Sequence, residues 1–201
     1  MEYWRDGKAN PPLQKSIRSL KEIGVMKMNT KQITLTSLFI ALCVIVPFLF
    51  HLVGLGAIFL PMFLPILLAG FLIEFRFALL VGLLGPLTSS LTTGMPPFFP
   101  TAISMIAEGM VAASVASFLF HTQKKSLWLA LPIAIVTERI TRVIMILLIF
   151  PILGLPAKQW SIIEITATLP GIVLQLFLIP LVLFMLWKSK IIERKLWWKI
   201  S

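Results

Sequence analysis

The sequence has very few of the residues on which disulfide-bonded proteins and many enzymes depend. It contains one cysteine, Cys43, which lies in an apolar run, and two histidines. A single cysteine excludes an internal disulfide and a multi-cysteine metal site, and we expect Cys43 to be a small buried hydrophobe. His51 and His121 flank predicted membrane spans on opposite sides, so we predict neither a shared metal site nor histidine-dependent acid–base catalysis.

The motifs of common catalytic classes are also missing. The chain has no GxxxxGK[ST] phosphate-binding loop, no HExxH zinc motif and no GxSxG nucleophile elbow. It therefore cannot be its own ATPase, and we predict no catalytic residues, no bound metal and no cofactor of its own. An intramembrane enzyme that uses only glutamate and arginine is the weakest of the functional alternatives.

Charged residues are scarce and hydrophobic residues are abundant, at 13% and 58% of the 201 positions. A soluble domain would need more polar surface, whereas about 20 residues per crossing give room for six helices. The sequence predicts an all-α membrane protein, with a polar tail at 1–28 (an over-extended start or a disordered segment), a membrane domain at 29–188 and a basic tail at 189–201. The six predicted spans are 33–50, 57–73, 77–91, 100–120, 127–152 and 162–187.

The basic residues predict the direction of these spans. Fifteen of the eighteen lysines and arginines fall in tails and connections that share one side, and only Lys158 falls on the other. The positive-inside rule places both termini in the cytoplasm. We expect a multi-pass protein of the plasma membrane of a bacterium. The net charge of +10 is thus assigned to topology and to the lipid bilayer. No basic stripe carries interleaved aromatic residues, so we predict no nucleic-acid partner.

Several polar residues lie inside the spans, where each is expensive and a functional candidate. We expect them to lie near the midplane or in the outer half and to form an outward-opening pocket for a polar small molecule. An alternative stays open for Glu138 and Arg142, whose i, i+4 spacing allows them to satisfy one another structurally. The predicted ligand-binding residues are Glu108, Arg139, Arg142, Glu164, Thr168 and Gln175.

Pairs of small residues mark places where helices, or partner subunits, approach closely. Ser37 and Ala41 form one such pair in span one. Two more pairs, Gly109 with Ala113 and Ala112 with Ala116, lie in span four. Each pair is either an ordinary helix-packing seam or a contact with a partner subunit.

Two stretches carry a resemblance to a known family. PLTSSLTTGMPP at 86–97, within the longer run 61–109, and PGIVLQLFLIP at 170–180 resemble substrate-binding S components of energy-coupling-factor vitamin transporters. The similarity covers about residues 30–187. It implies a six-helix bundle with both termini in the cytoplasm, and a vitamin or vitamin precursor captured from outside in a pocket made by helices four to six.

The resemblance also implies partners. The chain would dock onto a membrane coupling subunit that carries two ATPase subunits, and ATP would be used by those subunits. The family's AxxxA docking motif on helix one maps to Ser37 and Ala41, with serine in place of the first alanine. Glu108 opposite Arg139 suits a ligand with donors and an anionic or carbonyl group, such as pantothenate, a pyridoxine-like ring or a ribazole-type nucleoside. The main alternative is a self-sufficient carrier that couples uptake to protons through Glu108 or Glu138.

Overall fold

The computed structural model describes residues 4–5, 8–9, 30–54, 56–152, 154 and 168–189. Its regular structure is helical, apart from two-residue antiparallel strands β1 (Trp4–Arg5) and β2 (Lys8–Ala9). Short π-helical segments precede and follow α5 (Phe98–Ala102 and Phe118–Thr122), and a third follows α6 (Met145–Ile149). The helices are α1 (Thr30–Leu52), α2 (Gly56–Phe59), α3 (Phe63–Leu72), α4 (Phe75–Thr93), α5 (Ile103–Ser117), α6 (Leu127–Ile144), α7 (Phe150–Ile152) and α8 (Leu169–Lys188).

Four helical segments are long and apolar enough to cross a membrane. They are Thr30–Leu52, Phe75–Thr93, Phe98–Thr122 and Leu169–Lys188. These correspond to the predicted spans one, three, four and six. The sixth begins at Leu169, directly after its N-cap Thr168, and residues 155–167 of the predicted span lie outside the described residues.

The predicted span at 57–73 is two helices rather than one. The chain leaves α2 at Leu60, whose backbone has a positive φ of 46°, and enters α3 after Pro61. A proline has no N–H to donate and disfavours helical geometry in the residue before it, so the break falls where the sequence places Pro61. The resulting α3 has only ten residues.

The structure agrees with the fifth predicted span, 127–152. Helix α6 continues through Met145–Ile149 into α7, which ends at Ile152. Glu138, Arg139 and Arg142 make this segment less apolar than the other membrane-length helices. The predicted tails at 1–28 and 189–201 lie almost wholly outside the described residues.

Helix α3 lies at the centre of the bundle and is buried on all sides, as expected for a helix that is apolar all round. On one side it packs with α5, α6 and α8, and on the other with α1, α4 and α5. The buried apolar residues form one group on each of these two sides. Cys43 belongs to the second group and has no exposed surface, which confirms the expectation of a buried cysteine. The first group, here called the inner cluster, consists of Leu64, Leu67, Phe71, Ala112, Ala116, Phe120, Leu127, Ala130, Leu131, Ala134, Ile135, Ile179 and Leu183.

The predicted seams of small residues in span four are confirmed. A β-carbon on Gly82 of α4 would lie 2.4 Å from the carbonyl oxygen of Gly109 in α5. A β-carbon on Gly70 of α3 would lie 2.9 Å from the carbonyl oxygen of Ala113 and 2.8 Å from the β-carbon of Ala116. Helix α5 therefore meets α3 and α4 backbone to backbone, which fixes the rotation of its other faces.

Candidate functional site

Helix α5 carries a carboxylate that is completely buried, that of Glu108. Its two oxygens lie 3.0 Å and 3.1 Å from the Nε atom of Arg142 on α6. The hydroxyl of Ser104, one turn earlier on α5, donates a hydrogen bond to Oε1. The charge of Glu108 is thus compensated by a guanidinium from the neighbouring helix and by a local hydroxyl.

Arg142 does not pair with Glu138, so the i, i+4 interaction considered from the sequence is not the one that forms. Glu138 lies instead beside Arg139, whose Nη2 is 3.2 Å from Oε1. The two groups form an ion pair without a hydrogen bond, since neither Glu138 oxygen has a hydrogen-bond partner among the described residues. Arg142 reaches Glu108 because α5 and α6 pack side by side. Without this contact Glu108 would be an uncompensated buried charge.

Helix α8 contributes a completely buried amide, that of Gln175. Its position follows from a face that repeats every four residues, at Gly171, Gln175, Ile179 and Leu183. Within the described part of the chain, neither the amide oxygen nor the amide nitrogen of Gln175 has a hydrogen-bond partner. A buried amide without partners is costly, so this residue is not explained by packing alone.

The polar residues of the three helices lie at one level of the bundle. Glu108 is one turn from Ala112, Glu138 one turn from Ala134, and Gln175 one turn from Ile179. Ala112, Ala134 and Ile179 all belong to the inner cluster. Arg142 of α6 contacts Glu108 of α5, and Ile172 of α8 lines one groove with Arg139, so the polar residues of the three helices extend beyond this cluster at the same end. We call Glu108, Glu138, Arg139, Arg142 and Gln175 the polar layer.

Electrostatics supports this grouping. The carboxyl group of Glu138 is within electrostatic range of Glu108 and Arg142, as well as of Arg139. The side chains of Arg139 and Arg142 keep only 19% and 18% of their surface exposed. The polar layer therefore combines two carboxyl groups and two guanidiniums in a largely dry environment.

An open apolar groove of about 370 Å³ lies along the exposed face of α6 and includes Arg139 in its lining. Ile172 of α8, three residues before Gln175, forms one side of this first cavity, and α6 forms the rest. A second cavity of about 260 Å³ lies elsewhere, between the ends of α1 and α4, and is lined in part by His51 and Thr93. The residues that line the first cavity are Ile135, Val136, Arg139, Ile140, Val143, Ile144 and Ile172.

The structure brings together three of the residues that the sequence singled out for binding: Glu108, Arg139 and Arg142. Gln175 is buried on α8 one turn from Ile172, which lines the groove beside Arg139. Thr168 immediately precedes α8 and is half-buried. Two helical turns, about 10 Å, separate it from Gln175. Glu164 lies outside the described residues.

One contributor was not predicted. Ser104 is buried and reaches the carboxylate of Glu108. Its i, i+4 spacing before an intramembrane glutamate was visible in the sequence, but serines at that spacing more often bond to their own helix backbone, as Thr88 does to Leu84.

Ser37 and Ala41 take no part in the core. Both are exposed on α1, along the same side as Leu38 and Ile45, each of which is 51% exposed. This seam therefore faces out of the bundle, toward lipid or another protein. Among the described residues, no group of three or more histidine, cysteine, aspartate or glutamate side chains is placed to hold a metal ion.

The fold and the polar layer define a helical membrane protein with a buried polar centre. The family model of the ECF transporter substrate-specific component matches residues 31–191, well over half of the chain. The chain belongs to this family, which confirms the resemblance found in the sequence. No curated protein and no solved structure matches it.

Family membership determines the general role. The chain is a substrate-specific subunit of an energy-coupling-factor transporter and an integral membrane protein. Members of this family are transporter subunits rather than enzymes. The family implies a small-molecule substrate, together with transmembrane and ATPase subunits as partners.

Proposed function

We propose that this chain captures a vitamin or a vitamin precursor from outside a bacterial cell and delivers it inward together with a separate coupling subunit and two ATPases. ATP is used by the ATPase subunits, and this chain binds no cofactor of its own. Its ligand is held in the outer half of the membrane by α5, α6 and α8, the fourth to sixth predicted spans.

The observation that carries this proposal is the unused hydrogen-bonding capacity of the polar layer. Glu138 and Gln175 have no exposed surface, yet none of their side-chain oxygen and nitrogen atoms has a hydrogen-bond partner among the described residues. Proteins retain such groups inside a membrane where a substrate or an ion satisfies them. A polar ligand would satisfy the same atoms without any change in the ion pair between Glu108 and Arg142.

The direction of capture rests on the charge pattern. With both termini in the cytoplasm, the polar layer lies on the outer side of the inner cluster, toward the ends of α5 and α8 that enter from outside. Thr168 and Glu164 are then near the mouth, where they would meet the ligand first. This arrangement suits capture from the external medium.

The exposed face of α1 supports docking onto a partner. Ser37 and Ala41 are small, and apolar side chains flank them on a surface that the bundle leaves uncovered. Small residues allow a second helix to approach closely within a membrane. We assign this face to the coupling subunit.

Purification of the chain followed by mass spectrometry of the bound small molecule tests the capture step. Reconstitution in proteoliposomes tests the transport step: uptake should need the coupling subunit, both ATPases and ATP. Uptake by the chain alone, driven by a proton gradient, would instead establish the self-sufficient carrier and contradict the proposal.

A further inference from the structure

We propose that the ligand carries no net charge and presents hydrogen-bond donors and acceptors side by side, as an amide, a ring lactam or a zwitterion does. This inference rests on the proposed function, because it assigns the chemistry of the molecule held at the polar layer. It narrows the range that the sequence left open, in which an anionic group was also acceptable.

The first argument is the charge balance of the polar layer. Its two carboxylates and two guanidiniums form two ion pairs, Glu108 with Arg142 at 3.0 Å and Glu138 with Arg139 at 3.2 Å. With both carboxyl groups ionised, as two ion pairs require, the charges of these four side chains sum to zero before a ligand enters. An anionic or cationic ligand would add an uncompensated charge in a medium of low dielectric constant, and a neutral one would not.

The second argument is which atoms are already used. Both oxygens of Glu108 accept hydrogen bonds from Arg142, and Oε1 also accepts one from Ser104. The unused atoms are the two oxygens of Glu138, the Nε and Nη2 atoms of Arg139, and both polar atoms of Gln175. This set contains acceptors and donors in similar number.

A matching ligand must therefore supply an N–H or O–H group to Glu138 and a carbonyl or similar oxygen to Arg139. Gln175 can complete either kind of contact through its amide. A simple carboxylate offers acceptors alone, and a simple ammonium offers donors alone, so each would leave half of the buried atoms unsatisfied.

The test uses the full chain purified in detergent and its thermal unfolding in the presence of a defined panel. The panel contains water-soluble vitamins, their precursors and nucleobases, with neutral and carboxylate counterparts such as nicotinamide and nicotinate, pantothenol and pantothenate, and uracil and orotate. We expect the tightest member to be uncharged or zwitterionic, and to bind at least about tenfold more tightly than its carboxylate counterpart. Comparison of amide and zwitterionic members separates these two kinds of neutral ligand.

The other outcomes are distinct. If a carboxylate or a cation binds most tightly, the inference of a neutral ligand is wrong while the proposed function stands. If no member of the panel binds, the proposed function fails, and the inference fails with it.

A pair of variants tests the charge balance directly. Glu138→Gln leaves one guanidinium in excess, so the affinity ratio of a neutral compound to its carboxylate counterpart should move toward the carboxylate by at least about tenfold. Arg139→Gln removes a cation and should move the ratio the other way, which keeps the test valid if one variant does not fold. Glu74→Gln, an exposed change before α4, is the matched control. An unchanged ratio in both site variants would overturn the inference.

Discussion

The Nε atom of Arg142 lies 3.0 Å and 3.1 Å from the two carboxylate oxygens of Glu108, and this contact joins α6 to α5 across thirty-four positions of sequence. Glu108 has no exposed surface, so the arginine is what makes a carboxylate tolerable at this depth. Because Arg142 contacts Glu108, Glu138 has Arg139 as its ion-pair partner. A structural ion pair and a second pair with unused hydrogen-bonding capacity thus lie side by side.

Removal of one partner of the structural pair should destabilise the protein strongly. We expect Glu108→Gln and Arg142→Gln each to lower the free energy of unfolding by about 3 kcal/mol, because each leaves a buried charge without compensation. The double variant should lose much less than the sum of the two. Thermal unfolding in detergent measures all three, and simple additivity would show that the two side chains do not interact.

Gln175 should respond in the opposite direction. Gln175→Met removes an amide without partners and keeps a similar volume, so stability without ligand should stay equal or rise by about 1 kcal/mol. Affinity for the ligand should fall at least about tenfold, because a hydrogen-bonded contact is lost. Leu181→Met, on an exposed part of the same helix, is the control for methionine itself. A variant that is destabilised but binds normally would identify Gln175 as purely structural.

The contact between α4 and α5 should not tolerate even one methyl group. Alanine is a better helix former than glycine by about 1 kcal/mol, so Gly82→Ala would stabilise a helix with free space around it. Here the new carbon would lie 2.4 Å from the carbonyl oxygen of Gly109, and we expect a net loss of about 1–3 kcal/mol. Thermal unfolding decides the sign. Leu80→Ala, on the exposed side of the same helix, should cost less.

The exposed seam of α1 should matter for assembly and not for ligand binding. We expect Ala41→Trp to prevent co-purification with the coupling subunit, because a bulky side chain separates the two helix backbones. Ligand affinity of the isolated chain should stay unchanged, since Ala41 faces away from the polar layer. Leu181→Trp places the same side chain at an exposed position of α8 and should leave assembly intact. Normal assembly of the Ala41 variant would locate the docking surface elsewhere.

The predicted topology can be tested by cysteine labelling, because the sequence has only one cysteine to remove. In a Cys43→Ala background, Thr93→Cys should react with a membrane-impermeant maleimide added to intact cells, and Lys125→Cys should react only after lysis. Both positions are exposed, so access depends on the side of the membrane alone. The reverse pattern would place both termini outside and would also reverse the proposed direction of capture.

The candidate site was predictable in its members and not in its pairing. Charges inside apolar spans identify Glu108, Arg139 and Arg142 without any structure, since each is expensive in a membrane. Which glutamate each arginine contacts depends on how α5 and α6 are rotated against each other. The close approach of Gly82 to Gly109 and of Gly70 to Ala113 fixes the rotation of α5, and no periodicity within one helix encodes it.

The break in the second predicted span shows the same division. Pro61 was visible in the sequence, but an apolar run of sufficient length predicted one crossing. The structure ends α2 at Phe59 and buries α3 on every side, so that neighbours rather than lipid surround it. Composition alone cannot distinguish a lipid-facing apolar helix from a helix that is apolar because it is central.

The sequence by itself determined the membrane character of this protein, its family and its candidate ligand-binding residues. Hydropathy, charge position and local motifs are properties of short stretches of chain. Only the tertiary structure decided that Glu108 pairs with Arg142, that Gln175 is buried without a partner, and that these residues share one level of the bundle. Those facts depend on contacts between helices that are distant in sequence. They are set by side-chain size at the helix crossings and by the cost of leaving a buried charge alone.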